Sequence, residues 1–374
     1  MRGMIGAHLG LLFAGMATFI LMGAGQSLYG PAVPVFARDY GLSLAEASGV
    51  ISAHWVGCFI GVGAMFAAGH LATPRRLLLV MALGAALMAV GWGWAVTLAG
   101  ALVFGMGYGC ATVLFNPRFL AAFGARGPAM LSLLNATFGI GAIIAPLVFV
   151  ALHSQPGLSF ALVAGLAALV LIGASDDGKV APEAGALGGV RPDWAILAFG
   201  AVGVGMEACL IGLGPAALLR LGETEAAAAG LLSAFFVAFL AARVMLTFCA
   251  HLIAPFSLYM LALAGMALCL LGGAVVAPAL FYVPAGAFAS MVFPGYFVEA
   301  ARRMGRDARV APVVIGAGLI GGISAPLLLA QALDRAGDRA FFWLLGGIAA
   351  VVLLLAALHG RMRAMAVSRP PAKA

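Results

Sequence analysis

The sequence predicts an all-α membrane protein with twelve transmembrane helices in two six-helix repeats, and three observations carry that class. Hydrophobic residues make up 64% of the 374 and charged residues only 9%, with a mean hydropathy of +1.13. A water-facing surface on so long a chain needs more charge than that. Apolar runs of about 18 residues or more recur from end to end, each long enough to cross about 30 Å of hydrocarbon as a helix. Finally, the chain repeats itself.

Shifted by 181 positions without a gap, Gly23–Gly91 lands on Val204–Gly272. Pro34 falls on Pro215, Gly41 on Gly222, Gly49 on Gly230, Ser52-Ala53 on Ser233-Ala234, His70-Leu71 on His251-Leu252, Pro74 on Pro255 and Gly84 on Gly265. Ala and Leu matches carry little in a chain this rich in both, whereas His, Pro, Ser and Gly held in register over three apolar segments carry a great deal. Further on, Gly141–Leu147 (GAIIAPL) is echoed by Gly321–Leu327 (GGISAPL), 180 positions later. A long parallel repeat of hydrophobic segments points to a membrane transporter whose site lies between the two halves.

Taken in order, the spans are expected at 8–36, 44–70, 76–95, 97–122, 127–151 and 157–175, then 194–219, 225–250, 255–276, 277–301, 310–333 and 340–360. Residues 1–175 form the first bundle, 176–193 a polar cytoplasmic linker, 194–361 the second bundle and 362–374 a cytoplasmic tail. The N-terminus runs straight into the first span without a signal-peptide cleavage site, so that span is expected to stay uncleaved. All five cysteines lie inside apolar segments, which argues for small core residues and against disulfides.

The net charge of +7 reads as orientation and not as nucleic-acid binding. With a cytoplasmic N-terminus, fifteen Lys and Arg fall inside: Arg2, Arg75, Arg76, Arg118, Arg126, Lys179, Arg191, Arg302, Arg303, Arg306, Arg309, Arg361, Arg363, Arg369 and Lys373. Only four (Arg38, Arg220, Arg335, Arg339) fall outside. The positive-inside rule then places both termini in the cytoplasm of a bacterial-type inner membrane.

Twelve spans, a six-plus-six repeat and a central linker resemble the major facilitator superfamily over nearly the whole chain. Helices four and five, GYGCATVLFNPRFLAAFG (Gly107–Gly124) and LSLLNATFGIGAIIAPL (Leu131–Leu147), together with Pro34-Val35-Phe36 ending helix one, resemble the fucose:proton symporter group. That likeness implies a proton-coupled sugar transporter with an aspartate in helix one and a glutamate in helix four. This chain has Gly30 and Thr112 there, and neither holds a charge. The signature after helix two survives only as Ala68-Gly69-His70 and Arg75-Arg76. Pro146 matches half of an antiporter Gly-Pro pair, with Ala145 before it.

Polar groups inside spans are costly and are the first candidates for a site. Glu207 is the one acid at mid-span, and its repeat-mate is Gln26 (26 + 181 = 207). The two are expected to face each other across a central cavity, with Glu207 as the proton-coupling residue, because removal from water favours the protonated form of a carboxylic acid. Arg243 in helix eight has three readings: a partner of Glu207, an anchor for an anionic substrate, or a snorkelling cytoplasmic anchor. Arg118 reads as a positive-inside anchor. Gln26, Tyr29, His54, Asn116, Asn135, Glu207, Arg243 and Tyr296 make up the candidate substrate-binding set, with Trp55, Tyr108 and Phe138 as aromatic neighbours. The alternative for the two asparagines is helix–helix hydrogen bonding.

His54/Cys58 and Met245/Cys249 are i,i+4 pairs that allow a soft metal, but no Met-x-x-x-Met or His-x-x-x-Met supports one, and no metal site is assigned. His70 and His251 read as a duplicated gating or loop-packing pair. There is no phosphate-binding Gly-x-x-x-x-Gly-Lys-Ser/Thr and no catalytic constellation, so neither a cofactor nor enzyme activity is expected. The expected partners are a small-molecule substrate and the lipid bilayer, without nucleic acid, for a chain acting as a monomer. The favoured function is secondary active transport of a small polar organic solute, a sugar among the candidates, by alternating access with proton coupling. Proton-coupled efflux of amphipathic compounds, copper or other metal uptake, and a transport-inactive membrane sensor are the alternatives.

Overall fold

The computed structural model describes residues 8–123, 126–174, 191–249, 252–305, 309–337 and 339–368. Most of the 176–193 linker lies outside the described residues, as do Arg2, Lys179, His251, Arg306, Arg369 and Lys373. Twelve α-helices run through the rest: α1 (Leu9–Tyr40), α2 (Leu44–Ala68), α3 (Pro74–Ala89), α4 (Trp94–Ala122), α5 (Gly127–Ala151), α6 (Pro156–Gly173), α7 (Trp194–Arg220), α8 (Glu225–Cys249), α9 (Pro255–Val275), α10 (Pro278–Met304), α11 (Val310–Ala336) and α12 (Ala340–Ser368). Among the described residues, eleven of them are long and apolar enough to cross a membrane. Large apolar side chains cover the outside: Ile172, Trp194, Phe248 and Leu268 are all more than 70% exposed, a surface suited to lipid.

Most helices start on residues that supply what a helix end lacks. Ser43 caps α2 through a reciprocal capping box with Glu46. Thr73 accepts from the Arg76 N–H at the start of α3, and Asp193 accepts from the Ile196 N–H at the start of α7. Pro74, Pro156, Pro255 and Pro278 occupy first-turn positions where a missing N–H costs nothing.

One span departs from expectation. The third, expected at 76–95, is the 16-residue α3, about 24 Å long at about 1.5 Å per residue. The apolar run continues past its end, but Gly91 and Gly93 adopt positive φ and break the helix there.

The packing follows the repeat. In the first six helices α2 packs on α4, α1 on α5, and α3 on both α4 and α6; in the second six α8 packs on α10, α7 on α11, and α9 on both α10 and α12. The two sixes meet where α2 touches α11, α5 touches α8, and α1 touches α7. Exchanging each helix with the one six later turns the first of these contacts into the second and the third into itself, which defines a pseudo-two-fold axis. The correspondence reaches single atoms. A Cβ on Gly141 would strike the Ile20 carbonyl, and one on Gly321 would strike the Ala201 carbonyl. Ile20 and Ala201 are themselves 181 apart, so the α1–α5 and α7–α11 crossings both need glycine at the same place.

The two faces of the bundle differ. On the face where α1 begins and α12 ends (the terminal face), two crevices separate the sixes. One, of about 510 Å³, lies between α5 and α8 with α9 and α10 at its back; the other, of about 580 Å³, lies among α2, α7 and α11. On the opposite, distal face the sixes are joined. Arg38 of α1 pairs with Glu225 of α8 at 3.5 Å. Asp334 of α11 accepts from the Ala45 N–H at the start of α2 at 3.2 Å and pairs with Arg220 of α7 at 3.5 Å. Deeper in, the Ser52 hydroxyl donates to the Ile323 carbonyl at 2.7 Å.

Candidate functional site

At mid-depth, α1, α2 and α4 bring four polar side chains of the first six into one cluster. Tyr29 and His54 share a hydrogen bond between the phenol and Nδ1 at 3.3 Å, and both are buried. The His54 ring sits edge-on to Tyr108 with centroids 5.1 Å apart. The Tyr108 hydroxyl in turn donates to the Gln26 side-chain Oε1 at 2.9 Å. Trp55 and Phe138 flank Tyr108 edge-on, and Trp55 packs against Gly322 of α11. Each buried group but one in this cluster is satisfied; His54 Nε2 has no hydrogen-bond partner.

The second six contribute the charges. Glu207 in α7 is half-buried and makes no hydrogen bond or ion pair to any described residue. Arg243 in α8 is half-buried, with its guanidinium stacked 4.7 Å over the Phe239 ring. Its Nε is buried without a hydrogen-bond partner. Glu207, Arg243 and Tyr108 lie within electrostatic range of one another, yet the acid and the guanidinium are not in contact. Of the three readings of Arg243, a direct pair with Glu207 is therefore absent. Snorkelling is disfavoured as well, since Phe239 lies one turn deeper in the bundle than Arg243.

Gln26, Tyr29 and His54 thus share one cluster with Tyr108, and Glu207 and Arg243 lie within electrostatic range of that phenol. Asn135 lines the α5–α8 crevice beside Arg243, and its amide donates to the Leu131 carbonyl at 2.9 Å. Asn116 keeps a buried Oδ1 without a partner, one residue before Pro117 inside α4. Tyr296 stands apart: it is fully buried within the second six, its hydroxyl donates to the Val314 carbonyl at 2.7 Å and its ring packs against Gly200. Arg118, read as a positive-inside anchor, is only 8% exposed and so is packed within the first six.

The positions where the resemblance implies acids hold no substitute for them. Gly30 lies where α1 meets α7, and a Cβ there would come within 2.5 Å of the Ile211 carbonyl and 3.0 Å of Pro215 Cγ. No larger side chain fits in this arrangement. The Thr112 hydroxyl donates back to the Tyr108 carbonyl at 3.1 Å. The soft-metal pairs do not converge either. His54 Nδ1 is engaged by Tyr29, Met245 is 55% exposed on the outside, and among the described residues no group of three His, Cys, Asp or Glu is placed to hold a metal.

Sequence reasoning missed two things. Tyr108 was legible only as an aromatic neighbour, although its hydroxyl bonds to Gln26. Asp334 joins the distal face to a helix start 289 residues away, a distance at which no local pattern signals a partner.

No protein-family model matches the chain, and no curated protein matches it. Solved structures do match over nearly its whole length. A nucleoside transporter, NupG, superposes with a TM-score of 0.77 at 12% identity, covering 94% of this chain and 98% of its own. A D-xylose–proton symporter gives 0.73 at 13%, covering 93% and 97%. The fucose:proton symporter FucP of E. coli gives 0.60 at 21%, covering 93% and 98%. The chain has the major facilitator fold.

Proposed function

We propose that this chain is a secondary transporter that moves a small polar organic solute by alternating access of its two six-helix halves, with Glu207 as the proton-coupling residue. The observation that carries the reading is Glu207 itself: a mid-span acid without a bonded partner among the described residues, within electrostatic range of Tyr108 and Arg243. Intramembrane acids of this kind mark proton and substrate paths. A distal face joined across the halves and a terminal face with crevices between them suit one end state of a rocking cycle. The excess of Lys and Arg on the terminal side supports a cytoplasmic terminal face, and hence an inward-facing state. Gln26, Tyr29 and His54 form with Tyr108 the buried polar cluster of the first six, and we assign it to the wall that faces the charged residues. Tyr296 is left out because its hydroxyl is already used by the Val314 carbonyl.

A second reading, efflux of amphipathic compounds, draws on the α2–α7–α11 crevice, whose walls include Phe59, Val62, Trp194, Leu197 and Ile320. The test is solute-driven proton movement in proteoliposomes with pooled sugars and small organic ions, wild type against Glu207→Gln. A proton signal lost in the variant, with counterflow exchange retained, supports Glu207 as the coupling residue. Exchange without a proton signal in either protein makes the chain a facilitator and ends that role.

A further inference from the structure

Arg243 raises a question that the proton pathway leaves open. A guanidinium inside a span needs a counter-charge, and among the described residues none is bonded to it. Its side chain lines the crevice of about 510 Å³ between the halves, together with Asn135, Ser132 and Thr247. The remaining walls are apolar, Leu133, Leu240, Val244 and Leu258 among them. Phe239 holds the guanidinium from one face, and its buried Nε has no partner. A planar fork of donors held in place matches a carboxylate in two-point contact, and the space is that of a ligand pocket for a small organic molecule.

We propose that Arg243 is the anchor for the carboxylate of an organic anion with an apolar or ring-shaped body, bound in the α5–α8 crevice with Asn135 beside it. The inference rests on the transporter reading and narrows its substrate class. It also gives the two sites a common element. Arg243 and Glu207 lie within electrostatic range of each other; a carboxylate docked on Arg243 offsets that cation, so that the acid takes up one proton from solvent as the anion binds. One proton then travels with each monoanion, and the pair adds no net charge to the moving site.

The chemistry of a carboxylate headed by an apolar body is close to that of an anionic lipid headgroup, and the test separates the two. Melting temperatures of the full chain in mild detergent are measured with sodium benzoate or glucuronate, against equal sodium chloride, methyl glucoside and phosphatidylglycerol. A carboxylate-specific rise is expected in wild type, with affinity falling at least about tenfold in Arg243→Gln, the loss typical of one charge-assisted contact. Arg243→Lys, which keeps the charge without the fork, is expected to fall between, and Arg302→Gln on the terminal surface to behave as wild type. The proposal is overturned if no carboxylate exceeds chloride, if the rise survives Arg243→Gln, or if only phosphatidylglycerol produces it. Counterflow of a neutral solute that depends on Glu207 but not on Arg243 would remove the anion site while leaving the transporter reading in place. Absence of both counterflow and proton movement for every solute, with the carboxylate rise intact, would remove the transporter reading and keep the site.

Discussion

Gln26 and Glu207 occupy the same position in the two repeats, and their surroundings differ in kind. Gln26 is 8% exposed and its carbonyl accepts from Tyr108; its neighbours Tyr29 and His54 also bond to each other. Glu207 is half-buried and unbonded, and the charge nearest to it, Arg243, also lacks a partner at Nε. Around these two positions the first six helices contribute neutral groups that bond to one another, with His54 Nε2 the exception, and the second six contribute charges that do not. In a low-dielectric interior a satisfied network is rigid, whereas an unsatisfied charge is available to an ion or a ligand. Duplication supplied two equivalent positions, and the two halves have divided scaffold and chemistry between them.

The strongest way to break this comparison is to move the acid across the axis. In the double variant Gln26→Glu with Glu207→Gln, proton coupling is expected to stay absent, and the melting temperature to fall, because an uncompensated charge at so buried a position costs about 3–5 kcal/mol. Restored coupling in proteoliposomes would show that the halves are interchangeable. A smaller effect is expected from Tyr108→Phe. It leaves the buried Gln26 carbonyl without its donor, a loss of about 1–3 kcal/mol, read as a lower melting temperature. An unchanged value would mean that Gln26 finds another donor and that the first half is less settled than its hydrogen bonds imply. The smallest effect is expected on the distal face. Asp334→Asn removes the charge at the start of α2, about 0.5–1 kcal/mol; its pair with Arg220 lies within the second six and is lost in both states. The share of molecules with an opened distal face then rises by a few-fold, measured by spin-label distances between residues 42 and 337. No change in that distribution would show that the close α1–α7 packing at Gly30, and not the ionic contacts, holds the face shut.

The helices were legible because a span advertises itself by length and apolarity, and the repeat was legible because Pro34/Pro215 and Pro146/Pro326 sit in the helices that pack together. The third span ends short of its expected bound because hydropathy does not register backbone direction: Gly91 and Gly93 turn the chain inside an apolar run. In the site, Glu207 and Arg243 stood out by charge alone. What could not be read was which hydroxyl goes where. Tyr296 and Tyr108 look alike in sequence, yet one donates to a helix carbonyl 18 residues away and the other to a side chain on α1, 82 residues away. Likewise Arg118 resembles any terminal-face arginine until packing shows it enclosed. The departure at Gly30, legible only as a missing acid, proves to be the spot where α1 touches α7.

Asp334 does more than pair with an arginine. Its carboxylate caps the first turn of a helix that belongs to the other half, adding to the capping box that Ser43 and Glu46 form within their own chain segment. Separating the halves therefore strips a negative charge from the positive end of the α2 dipole. Dissolved ions screen such an attraction over a Debye length of about 8 Å at physiological ionic strength and about 3 Å at 1 M. The rate at which the molecule opens toward its distal side is thereby tied to the salinity of the medium on that side.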